Sequence, residues 1–408
     1  MLRISSLDRR RMGGFAIWRR LIDLEGKRAD IVRITKEQKN WVDTTIGKIE
    51  AKMYEVAVRN LHKIPYLSEN GVYNDMSESK IYWWTNGFWP GIMWQMYSLT
   101  GEGLYRQAAE ETEEKLDQNF LMAEKLDHDN GFKWLLSAVA DYRTTGSRTA
   151  RNRGLLAAQL LAGRYNPGGH FLRAWNEWGG ESHIGWAIID CMMNLPLLYW
   201  AGEETEDPRY FQIADSHGKM ALEFFVREDN SVRHIVELDP DTGEFVREHG
   251  GQGYGEGSSW TRGQAWGLYG FLLSYLHTGD KKYLYMSQKI ANYFLANIPE
   301  NRLIPADFRQ PPECEWEDDS AAACGACGLL ELSKYVGEAD CVLYRNTAVR
   351  LLQTLDRERC NWSQKTDHLL ERCTVAYNGC QHNIPLIYAD YFFIEALLKL
   401  ADQELFVW

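Results

Sequence analysis

The chain has 408 residues, of which 45% are hydrophobic and 25% charged, the composition of a globular protein with a sizeable core. The formal net charge is −12 and like charges form no long run, which excludes a typical nucleic-acid-binding protein. The run of about 18 apolar residues that a membrane-spanning helix needs is missing as well, so we expect neither nucleic acid nor a membrane as a partner.

The first residues differ from the rest of the chain. They are basic at the start, but the apolar stretch 13–18 is too short for a secretory signal and is followed by Arg19 and Arg20. We interpret residues 1–35 as a partly disordered N-terminal extension, with a start site assigned too early as the alternative, and we expect a cytoplasmic protein. Residues 36–408 contain no evident linker and are predicted to form a single domain.

Helical periodicity dominates the remaining sequence, from a predicted first helix near Gln38–His62 to a last one near Leu386–Leu400. Between them one pattern recurs, in which a short Gly-containing turn joins an apolar helix to a helix with Tyr or Ala. The glycine ends the first helix, and an acidic residue or Thr helps to start the second. The pattern occurs in residues 97–105, 142–150, 200–210, 275–283 and 335–344.

Five such hairpins, together with the first and last helices, give about twelve helices. We therefore predict an all-α fold, an (α/α)6 barrel of six helical hairpins. An open α-solenoid is the alternative, but its repeats would be more uniform in length. The short turns would lie at one end of the barrel, and the long connections, where functional residues concentrate, at the other. These connections are residues 82–94, 125–134, 173–184, 233–261 and 305–319.

Asp190 is the most informative single residue, because it is a carboxylate within the long apolar run of residues 184–200. Desolvation disfavours the charged form of a carboxyl group and raises its pKa. A raised pKa suits a general acid that works at neutral pH. The alternative is a structural aspartate that caps a helix beginning near Cys191.

Asp129 is the second candidate carboxylate, in the polar turn His128-Asp-Asn-Gly131 that precedes an apolar helix. Most clusters of this kind are simply turns that end in a helix cap. A carboxylate beside His128 could also orient sugar hydroxyls, and two carboxylates on different loops are common equipment for chemistry at glycosidic bonds.

A Gly-rich loop, residues 252–260, leads into a predicted helix that begins near Thr261. Arg262 and Trp266 are four residues apart and share a face of that helix. At the mouth of a barrel they could bind a planar carboxylate and stack on a sugar ring. A surface ion pair is the alternative for Arg262. His234, in one of the few strand-like stretches, is either a site residue or a satisfied structural histidine.

The eight cysteines are predicted to be free, mostly buried thiols, because the chain is long and several lie in apolar, helix-like stretches. Cys324 and Cys327 form a single C-x-x-C motif without a second pair. We therefore expect no metal site.

Several long motifs spread over residues 36–400 resemble one known family, the unsaturated glucuronyl hydrolases of glycoside hydrolase family 88. The matching stretches are Trp84-Thr-Asn-Gly-Phe-Trp-Pro-Gly91, His128-Asp-Asn-Gly-Phe132, Ile188-Ile-Asp-Cys-Met-Met-Asn-Leu-Pro-Leu-Leu198, Gly257-Ser-Ser-Trp-Thr-Arg-Gly-Gln-Ala-Trp-Gly-Leu-Tyr-Gly-Phe271, Asp319-Ser-Ala-Ala322 and Tyr388-Ala-Asp-Tyr-Phe-Phe-Ile-Glu-Ala-Leu-Leu398.

The resemblance implies an (α/α)6 barrel and a glycosidase that needs no metal or other cofactor. Its substrates would be oligosaccharides left by polysaccharide lyases, which end in a 4,5-unsaturated uronic acid. It further implies that Asp190 is the acid and base that hydrates the C4=C5 double bond, and that an ionised Asp129 assists. The substrate-binding residues that it implies are Trp84, His128, His234, Gln252, Arg262 and Trp266.

Other functions remain open at this point. An unsaturated rhamnogalacturonyl hydrolase acting on pectin fragments would use the same barrel. A sugar epimerase on the same barrel would use paired histidines, and the sequence reveals no such pair. A non-catalytic glycan binder is disfavoured, because it would not need to retain both aspartates. We expect a monomer or a weak homodimer that binds an unsaturated oligosaccharide.

Overall fold

The computed structural model describes residues 34–177 and 179–408. The predicted N-terminal extension, residues 1–35, lies outside the described residues except for Ile34 and Thr35. Thr35 starts the first helix with a capping box, in which its side chain accepts a hydrogen bond from the Gln38 backbone N–H and the Gln38 side chain accepts one from the Thr35 backbone N–H. That helix spans Lys36–Asn60, within two residues of its predicted ends.

Twelve α-helices form six antiparallel pairs in the described part of the chain, if the helix with an internal π-helical turn is counted once. Their bounds are α1 (Lys36–Asn60), α2 (Phe88–Thr100), α3 (Gly103–Leu116), α4 (Asn130–Trp134, continuing through the π-helical turn Leu135–Val139 into Ala140–Thr145), α5 (Arg148–Ala162), α6 (Cys191–Thr205), α7 (Pro208–Phe224), α8 (Thr261–Thr278), α9 (Lys281–Ala296), α10 (Asp319–Leu332), α11 (Glu338–Glu358) and α12 (Ile387–Leu400).

The even-numbered helices form an inner ring, and the odd-numbered helices pack around it. Residues of the inner helices are buried on almost every face, whereas α1, α3, α5, α7, α9 and α11 are buried on one face only. The ring closes where α12 packs against α2. This closure excludes the open solenoid and confirms the predicted (α/α)6 barrel.

The short turns lie at one end of the barrel, as predicted. Gly101, Gly146 and Gly279 adopt left-handed φ angles of 76°, 75° and 71°, and each donates its N–H to the carbonyl four residues earlier. Glycine adopts this conformation without the steric cost of a side chain, which explains its place at these helix ends. Trp408 is buried among the inner helices, where it stacks on Phe392 with ring centroids 6.0 Å apart and also contacts Phe132 and Tyr269.

The long connections at the other end contain short strands: β1 (Ser68–Glu69), β2 (Val72–Tyr73), β3 (Tyr165–Asn166), β4 (Phe171–Leu172), β5 (Trp186–Ile188), β6 (Ile235–Leu238) and β7 (Phe245–His249). The last three form an antiparallel sheet in the order β5-β6-β7. β5 leads into α6, and the Ile189 N–H donates to the His234 carbonyl at 3.0 Å just before β6. This sheet therefore brings the start of α6 next to His234.

All eight cysteines are free, as predicted, and five of them are buried, including Cys324 and Cys327 on α10. Within residues 34–177 and 179–408, no group of three or more His, Cys, Asp or Glu side chains is arranged to hold a metal ion. None of the helices in those same ranges is long and apolar enough to span a bilayer.

The inner helices approach one another most closely at glycines, and Gly270 on α8 offers a test. A Cβ atom at Gly270 would lie 2.5 Å from the Met192 Cβ on α6. We predict that Gly270→Ala lowers the free energy of unfolding by about 1–3 kcal/mol, the usual cost of overpacking a core. The control is Gly47→Ala on α1, where nothing lies within 4 Å of the added Cβ. Because it only removes backbone freedom, that change should stabilise by about 0.5–1 kcal/mol in denaturant titrations. Equal effects at the two positions would contradict the close approach.

Candidate active site

Asp190 lies between β5 and α6, at the N-cap position of that helix, but its side chain makes no capping hydrogen bond. The side chain is 14% exposed, and its Oδ1 is buried without a hydrogen-bond partner among the described residues. Burial raises the pKa of the Asp190 carboxyl to about 7, against the opposing influence of the Arg262 charge. The capping alternative is thus not supported, and most of the Asp190 side chain is withdrawn from water.

Asp129 lies at the start of α4 and is also buried, again without a side-chain capping bond. Its Oδ1 accepts a hydrogen bond of 3.3 Å from Nδ2 of Asn194, and its Oδ2 lies 3.5 Å from Nε2 of His128. Burial raises the pKa of Asp129 well above its usual value, and the charges of Asp127 and Asp190 raise it further. Burial therefore opposes the predicted ionisation of Asp129. Nearby hydrogen-bond donors and cations favour the ionised form.

His128 and His234 are both buried beside these carboxyls. Burial lowers the pKa of His128 to about 4 and that of His234 to about 3, so both rings are neutral near pH 7. Nδ1 of His234 accepts the backbone N–H of Gln252 at 2.9 Å, which places the ring proton on Nε2. That Nε2 faces Oδ1 of Asp190 at 3.6 Å, slightly beyond hydrogen-bond length.

Arg262 is fully buried in the first turn of α8, so its ion pair does not lie on the surface. Its Nη1 lies 2.7 Å from Oδ2 of Asp318, the N-cap residue of α10. The guanidinium also donates to the carbonyls of Thr374 (3.0 Å) and Val375 (2.8 Å). Only Nε lacks a partner among the described residues. Because groups of the protein itself accept most of the Arg262 hydrogen bonds, this side chain helps to hold the fold together.

The three remaining predicted substrate-binding residues surround the same region. Trp266 is fully buried, with its ring against Phe132 at 5.3 Å between centroids, so its faces are not open to stack on a sugar as expected. Trp84 is half-buried and also packs on Phe132, at 5.6 Å. Gln252 donates from Nε2 to the Val375 carbonyl at 2.7 Å, which also accepts from Arg262.

Comparison with known proteins identifies the family. The sequence model of Glycosyl Hydrolase Family 88 matches residues 56–294. The chain belongs to this family. The unsaturated glucuronyl hydrolase of Bacillus sp. (strain GL1) is 36% identical over 360 residues, 85% of this chain and 94% of that protein. An unsaturated chondroitin disaccharide hydrolase of Streptococcus agalactiae serotype III is 33% identical over 382 residues, 88% of this chain and 94% of that protein.

Solved structures agree with the sequence relatives. The crystal structure of the Bacillus sp. GL1 enzyme has a TM-score of 0.79 at 34% identity and covers 86% of this chain and 95% of its own. An unsaturated glucuronyl hydrolase specific for heparin has a TM-score of 0.80 at 29% identity, with 89% and 97% covered. The chain is therefore an enzyme, a glycosidase of the unsaturated glucuronyl hydrolase type.

Two buried side chains of this family 88 enzyme were missed by the sequence reasoning. Asn194 lies four residues after Asp190, and its position within the same apolar run was the available signal. Lys133 is buried one turn into α4, donates to Oδ1 of Asn119 at 3.0 Å and lies 3.8 Å from Oδ1 of Asp127. Nothing in the local pattern distinguished Lys133 from a surface lysine.

A cavity of about 510 Å³ lies beside the site rather than at the two carboxyls, and it is lined by residues of the stretch 299–317 and by Arg372. Its wall includes Trp316, which lies edge-on to Tyr377 at 4.6 Å between ring centroids. The Tyr377 N–H donates to the Gln252 carbonyl at 2.8 Å, so the cavity adjoins the loop that carries Gln252.

The burial of Arg262 predicts that its removal affects stability as well as binding. Arg262→Ala leaves the buried Asp318 carboxylate without its partner, and we expect a loss of about 3–5 kcal/mol in the free energy of unfolding. The double variant Arg262→Met with Asp318→Leu removes both charges and should recover part of this loss. Urea unfolding measures both. A single variant as stable as the wild type would show that the ion pair does not hold this part of the barrel together.

Proposed function

We propose that this enzyme removes a terminal 4,5-unsaturated uronic acid from lyase-generated oligosaccharides, preferentially glycosaminoglycan fragments, by hydrating the C4=C5 double bond. The relatives named as unsaturated glucuronyl and chondroitin disaccharide hydrolases support this substrate class. The observation that carries the proposal is the buried Asp190 carboxyl, whose pKa of about 7 keeps much of it protonated at neutral pH. Protonation of a carbon atom needs such an acid.

In the first step, Asp190 gives its proton to C4 of the enol ether, and positive charge develops at C5 and the ring oxygen. Water attacks C5 and returns a proton to the Asp190 carboxylate, so the acid is regenerated. The product is a hemiketal at C5, which opens to a ketone. The freed ring oxygen stays on C1, which becomes a hemiacetal. This hemiacetal collapses to an aldehyde and releases the remaining glycan. No covalent bond to the enzyme forms, and the carboxylate-spacing rule for retaining and inverting glycosidases does not apply.

Asp129 is proposed to hold sugar hydroxyls and, when ionised, to stabilise the positive charge at C5. The Asp129 carboxyl interacts with that of Asp190, so the two titrate as a pair, and the proposed mechanism needs the proton on Asp190. Asp129 receives the Asn194 N–H and feels the charge of Lys133, whereas Oδ1 of Asp190 has no donor within hydrogen-bond length among the described residues. Burial of Asp190 disfavours its charged form and outweighs the Arg262 charge and the backbone hydrogen bond, which favour it.

The remaining predicted contacts are proposed to position the sugar. Neutral His128 and His234 donate or accept hydrogen bonds without adding charge, and Gln252 holds the His234 ring through its backbone N–H. Arg262 contributes its positive charge toward the uronate carboxylate, and its Nε is the donor left without a partner among the described residues. Trp84, the half-buried ring of the group, is the candidate for stacking on the sugar.

The depressed pKa values of His128 and His234 argue against an epimerase. An epimerase with paired histidines needs one ring protonated to act as the acid, and both rings here are neutral near pH 7. The cytoplasmic location, the single domain and the monomeric or weakly dimeric state stay predictions from the sequence.

The Asp190→Asn variant tests the proposal. Because an amide cannot donate a proton to C4, we expect kcat on an unsaturated chondroitin disaccharide to fall by about 10²–10⁴-fold while the fold is kept. Loss of the ultraviolet absorbance of the conjugated double bond measures turnover, and circular dichroism monitors folding. A folded variant with more than about a tenth of wild-type activity would remove Asp190 from the mechanism.

The same assay examines the substrate class with unsaturated disaccharides from chondroitin, hyaluronan, heparin and pectin. The proposal expects kcat/KM to be higher for the glycosaminoglycan disaccharides than for the pectin one. Preference for the pectin fragment would instead favour an unsaturated rhamnogalacturonyl hydrolase.

A further inference from the structure

Asn194 links the two candidate catalytic elements through one buried amide. It lies on α6 and has no solvent exposure. Its Nδ2 donates to Oδ1 of Asp129 at 3.3 Å and to the backbone carbonyl of Asp190 at 3.1 Å. Its Oδ1 accepts the backbone N–H of Phe132 on α4 at 2.8 Å. Both N–H donors and the carbonyl of the amide are therefore used; two of the bonds join α6 to the start of α4, and the third ties Asn194 to the Asp190 backbone at the start of its own helix.

The two helices approach each other closely at the same point. A Cβ atom at Gly131 would lie 2.5 Å from Cα of Asn194 and 2.6 Å from its Oδ1. Only glycine fits at that distance, so the position of the α4 backbone relative to Asn194 is tightly defined. The close packing of the two backbones therefore fixes the position of the Asn194 amide relative to the Asp129 carboxylate.

We propose that Asn194 is a positioning residue for the hydration reaction, which fixes the Asp129 carboxyl relative to Asp190 and favours its charged form. This inference rests on the proposed function, because it assumes catalytic roles for both aspartates. Among the described residues, Asn194 provides the only side-chain hydrogen bond to the Asp129 carboxylate. It touches no reacting atom itself and acts through Asp129.

The electrostatic surroundings of Asp129 give this hydrogen bond its importance. Charged and titratable groups from every neighbouring element act on this carboxyl or feel its charge: Asp127, His128, Lys133, Arg164, Asp190 and Cys191. Burial and the two other aspartates raise the pKa of Asp129, whereas the Asn194 N–H and the Lys133 charge lower it. Without the N–H donor, the balance moves toward a protonated, neutral Asp129.

Asn194→Asp is the test variant, because it keeps the size of the side chain and an oxygen that accepts the Phe132 N–H. The oxygen that replaces Nδ2 faces two acceptors, Oδ1 of Asp129 and the Asp190 carbonyl. We expect kcat at pH 7 to fall by about 10–100-fold, in the range seen for residues that orient a reacting group. The acid limb of the pH–rate profile should move to higher pH by about one pH unit or more. KM should change less than kcat.

Asn194→Ala is the companion variant. It removes the donors without adding a carboxylate and is expected to shift the acid limb in the same direction. It also leaves the Phe132 N–H unpaired, so thermal unfolding is measured beside activity. If Asn194→Ala does not fold, the isosteric Asn194→Asp variant still decides the question.

Asn60→Asp on α1 is the matched control, since Asn60 is equally buried and its Nδ2 donates only to the Val56 carbonyl of its own helix. We expect lower stability but an unchanged pH–rate profile for the folded control. Wild-type kcat and an unshifted acid limb in Asn194→Asp, alongside an inactive Asp129→Asn, would overturn the positioning role and leave the proposed function standing. A fully active Asp129→Asn would overturn the positioning role together with the role proposed for Asp129, and Asp190→Asn would then test the proposed function on its own.

Discussion

The Asp190 carboxyl loses most of its hydration at the start of α6, and its ability to act as an acid depends on that loss. A carboxylate at a helix N-terminus is normally stabilised by the helix dipole, by about 0.3–1 kcal/mol. Here the rise of the Asp190 pKa from 3.8 to about 7 corresponds to about 4 kcal/mol in the opposite direction. Burial therefore exceeds the opposing influences of the Arg262 charge and of the backbone hydrogen bond.

The barrel makes this burial possible. Inner helices pack on both sides of α6, and the β5-β6-β7 sheet brings His234 against the same carboxyl. Arg262 holds Asp318 and the Val375 carbonyl, which also accepts the Gln252 side chain. Residues from four long connections thus form one hydrogen-bonded wall. The raised pKa of Asp190 comes from its burial by the surrounding elements together, because no single neighbouring residue raises it.

Sequence patterns predicted the fold well, because helical periodicity and glycine-ended turns are local properties. The two carboxylates were found from their apolar or turn-like settings, and the structure brings both residues to Asn194, which donates to the Asp129 carboxyl and to the Asp190 carbonyl. The burial of Arg262 and Trp266 was not predicted, since helical spacing tells which residues share a face but not which neighbours cover that face. Asp318 lies 56 residues away from Arg262. The roles assigned to Asn194 and to the His234 tautomer depend on contacts between distant segments, which a single sequence does not reveal.

The most direct test of the central claim is an infrared pH titration of the Asp190 carboxyl itself. The difference spectrum between the wild type and Asp190→Asn isolates the C=O stretching band of the protonated group, and its intensity is followed across pH without substrate. A buried acid predicts that the band persists through mildly acidic pH and disappears with a midpoint near pH 7. A midpoint near 4, the value of an ordinary hydrated aspartate, would contradict the account.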